Sequence, residues 1–234
     1  MDILETMKAR HSVRQYKNQA IESSKREKIN ALIKDVNAES KLSIQVFYDE
    51  PKWFDSFIGI LESCKELYGR GFIKTYREMT TGEFCENVKN YIAIVGNKND
   101  QEKAGYYGEK IVLKCQKLGL NTCWVAMTHG KSKAQIKRGQ KLLIIISLGY
   151  GETQGVPHKS KSIAELGQAD QKNEWFEKGM EAVSLAPTAV NQQKFYFELK
   201  NGIVTAKNLG GFYSRIDLGI VKYHFEVVTG HEVK

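Results

Sequence analysis

Hydrophobic and polar positions along the chain change period several times, and each change marks an element. Ile3, Leu4 and Met7 fall on one helical face over Asp2 to Ala9. A second helix, with Ile29, Leu32, Ile33 and Val36 at 3-4-3 spacing, is opened by the capping-box pattern Ser24-Lys-Arg-Glu27. The period then drops to two at Ile44, Val46 and Tyr48, which predicts a strand. Further strands are predicted over Tyr91 to Val95, Thr122 to Met127 and Leu142 to Leu148. Between them Tyr107 to Leu118 carries Ile111, Cys115 and Leu118 on one stripe, with Gly119 placed to cap its end. The stretch from about Trp53 to Glu86 reads as mostly helical.

Late in the chain Glu174 to Ser184 repeats the helical period through Phe176, Met180 and Val183, and Phe195, Phe197 and Leu199 alternate as a strand. This order parallels the helix Arg26 to Lys34 followed by Ile44, Val46 and Tyr48. The block "GYYGEKIVLK" from Gly105 is echoed by "GFYSRIDLGIVK" from Gly211. The second half thus reads as a copy of the first, shortened by roughly 45 residues between these blocks. Expected boundaries are a first half over 1–165 and a second over 166–234, in one compact unit.

Between that last helix and strand stands "SLAPTAVNQQKF", where Pro187 halts the helix and Thr188, Asn191, Gln192 and Gln193 offer neutral donors and acceptors. Locally this is a capped turn. Its counterpart in the first half, "DVNAESKLS", lacks these groups.

At 234 residues, with 41% hydrophobic and 26% charged residues and three prolines, the chain has the composition of a folded globular protein. The longest apolar run is too short to cross a bilayer, and Met1 to Ser12 lacks the apolar block of a signal peptide, so a cytoplasmic location without membrane association is expected. Cys64, Cys85, Cys115 and Cys123 have neither metal spacing nor a disulfide framework and read as buried reduced thiols; no metal is expected. The net charge of +8 is spread along the chain. Its densest cluster, Lys131, Lys133, Lys137, Arg138 and Lys141, has no nucleic-acid motif beside it and reads as a solvated helix face. "GYGETQG" after the strongest strand has the wrong spacing for a dinucleotide fingerprint.

Two basic segments remain. "ARHSVRQY" holds Arg10, His11, Ser12 and Arg14, a set whose guanidinium forks and hydroxyl suit a phosphate monoester. "VPHKSKS" adds Lys159 and Lys161 around Ser160. His129 and His158 sit on loops near these segments and read first as solvated side chains.

Taken together, "RHSVR", "GLNTCWVAM", "SLGYGE", "HKSK" and "APTAVNQQ" resemble the nitroreductase family of FMN-dependent oxidoreductases. The resemblance implies an α+β fold with a mixed, mainly antiparallel sheet flanked by helices. It places the FMN phosphate and ribityl chain on Arg10, His11, Ser12, Lys159 and Lys161, and the pyrimidine edge of the flavin on Arg14. Trp124 and the backbone of Val125 and Ala126 would face the ring, with Pro187, Thr188 and Asn191 reaching it from the opposite unit. Chemistry would be borne by the flavin, with no catalytic side chain, NADH or NADPH as transient reductant, and a nitroaromatic, quinone or similar small molecule as acceptor. The sequence departs from the family pattern: the turn motif lies at 186 to 193 instead of early in the chain, it is followed by Lys194-Phe195 instead of Pro-Trp, and Ala126 stands where a glycine is common. That displacement suggests a fused pseudo-dimer, monomeric or as a homodimer, whose first half holds the phosphate and whose second supplies the turn. The competing reading is a non-catalytic flavin-binding or basic nucleic-acid-binding protein on the same fold.

Overall fold

The computed structural model describes residues 2–50, 85, 87–125 and 132–234. Helix α1 (Ile3–Ala9) starts at Asp2, whose carboxylate accepts the Ile3 N–H at 2.7 Å, and α2 spans Ser23–Ser40. Strands β1 (Ser43–Phe47) and β2 (Asn90–Gly96) are followed by α3 (Gln101–Lys117), β3 (Asn121–Val125) and β4 (Lys141–Gly149). These four strands form one antiparallel sheet in the order β1-β2-β4-β3. A short helix α4 (Ile163–Leu166) leads into β5 (Gly167–Ala169), then α5 (Glu174–Ser184), β6 (Phe195–Lys200), β7 (Ile203–Asn208) and α6 (Ser214–Thr229). The second sheet has the order β5-β6-β7, parallel at its first pairing and antiparallel at its second.

Alternation along β2 explains why the first sheet is buried on both faces. Ile92 and Ile94 join the main core with Ile29, Val36 and Ile111, while Tyr91 and Ala93 pack with Val13, Tyr16 and Val125 on the other side. The second sheet points Phe195, Phe197 and Leu199 into that same main core, against Met180 of α5 and Phe225 of α6, so one apolar interior runs through both layers.

The two layers are joined by α3 crossing α6. A Cβ added to Gly105 would overlap the carbonyl of Ile216, and one added to Gly219 would overlap the carbonyl of Glu102. In each direction a glycine of one helix meets a backbone carbonyl of the other. Ile44 pairs with Ile94, and Phe195, 151 positions after Ile44, pairs with Asn208. Asn208 follows Ile94 by 114 positions, the spacing that also separates Gly105 from Gly219. Between β6 and β7, Asn201-Gly202, both at positive φ, makes a tight turn.

Several expectations are corrected. The Ser24–Glu27 capping box does not form: α2 begins at Ser23, with Glu22 in the capping position and its carboxylate bonded to the Tyr150 hydroxyl. A capping box occurs instead at Ser162 and Glu165, where no helix was expected. The α3 helix begins at Gln101, well before Tyr107. Strand β7 was missed because its alternation is weak, although the Asn-Gly dipeptide signals its hairpin. The described part of the basic cluster from Lys133 is not a helix; Lys133 pairs with Glu50 at 2.6 Å. Lys131 and the region 53–84 lie outside the described residues, as does Cys64; Cys85, Cys115 and Cys123 are free and buried. Among the described residues no helix is long and apolar enough to cross a membrane, and no group of side chains could hold a metal ion.

The helix crossing yields a direct expectation. Gly219→Ala should destabilise the protein by about 1–3 kcal/mol, because the added methyl overpacks against backbone that cannot yield as a side chain would. A lower urea midpoint at unchanged slope is the expected readout.

Candidate functional site

The floor of a cavity of about 580 Å³ is built by the first half. After α1 the backbone turns extended at Arg10 and runs beside β3, with Ser12 bridging Thr122 and the Val13 N–H donating to the Thr122 carbonyl at 3.1 Å. Val13 and Tyr16 are buried, while Arg10, His11, Ser12 and Arg14 line the cavity wall. Trp124 and Val125 of β3 complete this side. Arg10 is only 3% exposed, and the Nε atoms of both Arg10 and Arg14 are buried without a hydrogen-bond partner. Burial pulls the Arg10 pKa down, and Glu109, with Nε 3.9 Å from its carboxylate oxygen, opposes that shift. Below the floor the Cys123 thiol is pulled under the usual thiol range by a hydrogen bond with Cys85 and by Arg14, Ser12 and Arg10, against its own burial.

The roof is the turn after α5, supplied by the second half. Pro187, Thr188, Ala189, Val190 and Asn191 line the cavity. Val190, Asn191 and Gln193 all have positive φ, between 45° and 53°, which for the β-branched Val190 is a strained conformation. Side-chain amides hold the strain in place. Gln193 accepts the Lys161 N–H at 2.8 Å and donates to the Lys159 carbonyl at 2.9 Å and to Asn191 Oδ1 at 2.8 Å, and its own N–H donates to Thr188 Oγ1. Asn191 Nδ2 donates to the Lys159 carbonyl, and Gln192 Nε2 to Asp217 Oδ2 at 2.7 Å. The neutral groups that the sequence offered for reading a ring edge are thus largely engaged within the turn itself.

Of the sequence-predicted site residues, Arg10, His11, Ser12, Arg14, Trp124, Val125, Pro187, Thr188 and Asn191 meet around one cavity, although 181 positions separate Arg10 from Asn191. Lys159 and Lys161 do not line it. They belong to the loop that buttresses the turn, where Lys161 Nζ donates to the carbonyls of Gln192 and Gln193 at 3.3 and 3.1 Å. Ala126 and His129 lie outside the described residues. His158 lines the cavity half-buried, with Nε2 3.1 Å from the Ser184 carbonyl, and burial lowers its pKa, so it is not a solvated loop histidine. His11 is lowered too, by burial and by Arg10.

Sequence reasoning missed the contribution of α6 and the segment before it. Phe212, Tyr213, Ile216, Asp217 and Ile220 line the cavity, with Val156 and Pro157 at its edge. An acid on the apolar face of "GFYSRIDLGIVK" was the available signal. Asp217 is 4% exposed; its Oδ1 accepts the Ala189 N–H at 2.9 Å while Oδ2 accepts from Gln192. Burial raises its pKa to about 6, against the lowering effect of those two bonds.

An α+β fold with an antiparallel sheet, flanking helices and an arginine-floored cavity between its layers defines the class structurally. The same fold is seen in the crystal structure of a nitroreductase from Thermotoga maritima, which superposes with a TM-score of 0.66 at 21% identity over 99% of this chain and 87% of the other. The match to the family model "Putative TM nitroreductase" over residues 2–67 and 61–229 goes further: the chain belongs to this nitroreductase family. Lower similarity extends to a nitroreductase with bound FMN from Bacteroides fragilis, at TM-score 0.47 and 16% identity over 69% of this chain and 94% of the other. An FMN and NADPH-dependent nitroreductase from Sphigopyxis sp. strain HMH gives 0.49 and 11% over 70% and 97%. No curated protein matches the chain.

Asp217 makes the roof dependent on pH. Its folded-state pKa lies above the ordinary value of 3.8, so ionisation costs stability that accumulates as pH rises from about 4 through about 6. Relative to Asp217→Asn, the protein should lose about 3 kcal/mol of stability between pH 4 and pH 7, read as diverging urea midpoints of the two proteins.

Proposed function

We propose that the protein is an FMN-dependent oxidoreductase that uses NADH or NADPH for two-electron reduction of a nitroaromatic, quinone or similar conjugated acceptor, with its site assembled inside one chain. One observation carries this reading. A mostly apolar cavity has Arg10 and Arg14 in its floor and a hydrogen-bonded turn from far along the chain as its roof. Guanidinium groups lining such a cavity suit an anionic, planar ligand, and the volume falls in the range of small-molecule sites. FMN, when bound, would supply hydride transfer at its ring, which removes the need for a catalytic side chain.

The residues of the chain would position and neutralise. Arg10, His11 and Ser12 would take the phosphate and ribityl end, and Arg14 the pyrimidine edge, where reduction deposits negative charge. Trp124 and Val125 would support one side of the ring. Pro187, Thr188 and Asn191 would close the other, while Lys159 and Lys161 would act on the roof from outside the cavity. The small acceptor would enter past Val156, Val190 and Phe212, which are apolar and exposed.

The mirrored glycine crossing and the shared 114-residue spacing support a fused pseudo-dimer with halves of 1–165 and 166–234.

The first test is release and mass analysis of the bound cofactor, followed by anaerobic reduction with NADH or NADPH and an acceptor screen. FMN that is bleached and then reoxidised by a quinone or nitroaromatic is the expected result. FMN that is held but never reduced would favour the non-catalytic flavin-binding alternative. Arg14→Leu should lower the flavin midpoint potential by about 30–65 mV, the equivalent of losing about 1.5–3 kcal/mol from the reduced state. Co-refolding Arg10→Ala with Asn191→Ala tests the single-chain site: no recovery of tight FMN binding is expected, because every pocket keeps one lesion.

A further inference from the structure

Beneath the cavity lies a buried polar cluster that the reading above does not use. Glu109, on α3, is fully buried. Its Oε2 accepts the Trp124 indole N–H at 3.0 Å, its Oε1 lies 3.1 Å from His224 Nε2, and Arg10 Nε stands 3.9 Å from that same oxygen. His224, on α6, is also fully buried, and its Nδ1 lies 2.8 Å from the Ala182 carbonyl of α5. One carboxylate therefore ties the two floor residues Arg10 and Trp124 to a histidine from the second half.

Hydrogen-bond inventory fixes the protons. A carbonyl oxygen only accepts, so Nδ1 of His224 carries a hydrogen directed at Ala182. The contact between Nε2 and Oε1 requires one more proton between them. The histidine and the carboxylate thus share that proton, and the pair is neutral as a whole. Arg10, Glu109 and His224 then sum to one positive charge under an apolar cavity, directed at whatever anion occupies it. The carboxylate opposes an anionic ligand by its own charge, so its value to the site must lie in placement.

We propose that Glu109 is a positioning residue that holds the Arg10 guanidinium and the Trp124 indole in the cavity floor, and that His224 holds Glu109. Through this chain the second half fixes not only the roof but the floor of a site whose basic residues belong to the first. For ligand affinity the inference rests on the FMN reading; for the arrangement of the floor it stands without it.

The experiment compares Glu109→Gln, His224→Leu and His224→Gln with the unaltered protein. Two readouts need no cofactor. Labelling of Arg10 by phenylglyoxal, mapped by mass spectrometry, should rise several-fold in Glu109→Gln and His224→Leu, while Arg26, paired with Asp49 on the far surface, stays as before. Trp124 emission, isolated by subtracting Trp124→Phe, should become more accessible to acrylamide in the same two variants. The third readout is FMN titration. Glu109→Gln should weaken binding roughly tenfold or more although it removes a negative charge, and His224→Gln, which keeps a donor toward Glu109, should stay within about threefold. Unchanged labelling and quenching in folded Glu109→Gln protein would overturn the proposal. So would FMN binding that is equal or tighter, the result expected of a purely electrostatic role. Failure of the unaltered protein to bind FMN would sink the cofactor assignment, and the labelling and quenching results would then decide the positioning role by themselves. If Arg26 labelling rises in parallel, or the urea midpoint collapses, the cluster is a general stability element and the proposal fails.

Discussion

The close crossing of α3 and α6 is the constraint on which the rest of the structure depends. Two helices approach until backbone meets backbone, which is possible only where Gly105 and Gly219 present no side chain. Everything near the cavity is set by that approach. α3 carries Glu109 toward the floor, and α6 carries Asp217 to the roof and His224 to Glu109. A looser crossing would move the residues carried by α6 away from those carried by α3 that face them.

The site shows how polar groups are divided between ligand and scaffold. Gln192 and Gln193 look, by type, like groups that read a ligand. In the structure they stabilise a turn with three non-glycine residues at positive φ, a conformation costing of order 1–3 kcal/mol per strained residue. Arg10 and Arg14 line the cavity, and Arg10 is nearly fully buried beside Glu109. Residue type suggested which side chains matter, whereas burial and hydrogen bonding show which of them are engaged within the protein.

Legibility in the sequence followed the strength of local signals. Phe195, Phe197 and Leu199, the apolar run of β4 and the amphipathic face of α5 were readable because period and burial coincide there. The floor residues from Arg10 to Arg14 and the roof from Pro187 to Asn191 were found as motifs, and the family resemblance joined them across the chain. Asp217, Glu109 and His224 were not found. Each is a polar residue inside an apolar helical stripe, and nothing local distinguishes one facing a partner from one facing water. Their partners lie 28 and 115 positions away in the chain, so only the folded arrangement identifies them. The role of Gly219 was not legible either, since a bare glycine in a helical stripe carries no local sign of the helix it meets.

The Gln193 side chain has a mechanical meaning. Its carbonyl and both amide hydrogens are committed, to the backbone of Lys161 and Lys159 and to Asn191, so a single planar group clamps the roof turn to the neighbouring loop. Rotating the amide to release one partner would misalign the others, while the bonds from Asn191 to Lys159 and from Ala189 and Gln192 to Asp217 still hold the strained torsions at Val190 and Asn191. A change at Gln193 therefore frees the turn from the neighbouring loop but leaves it moored to α6 through one carboxylate.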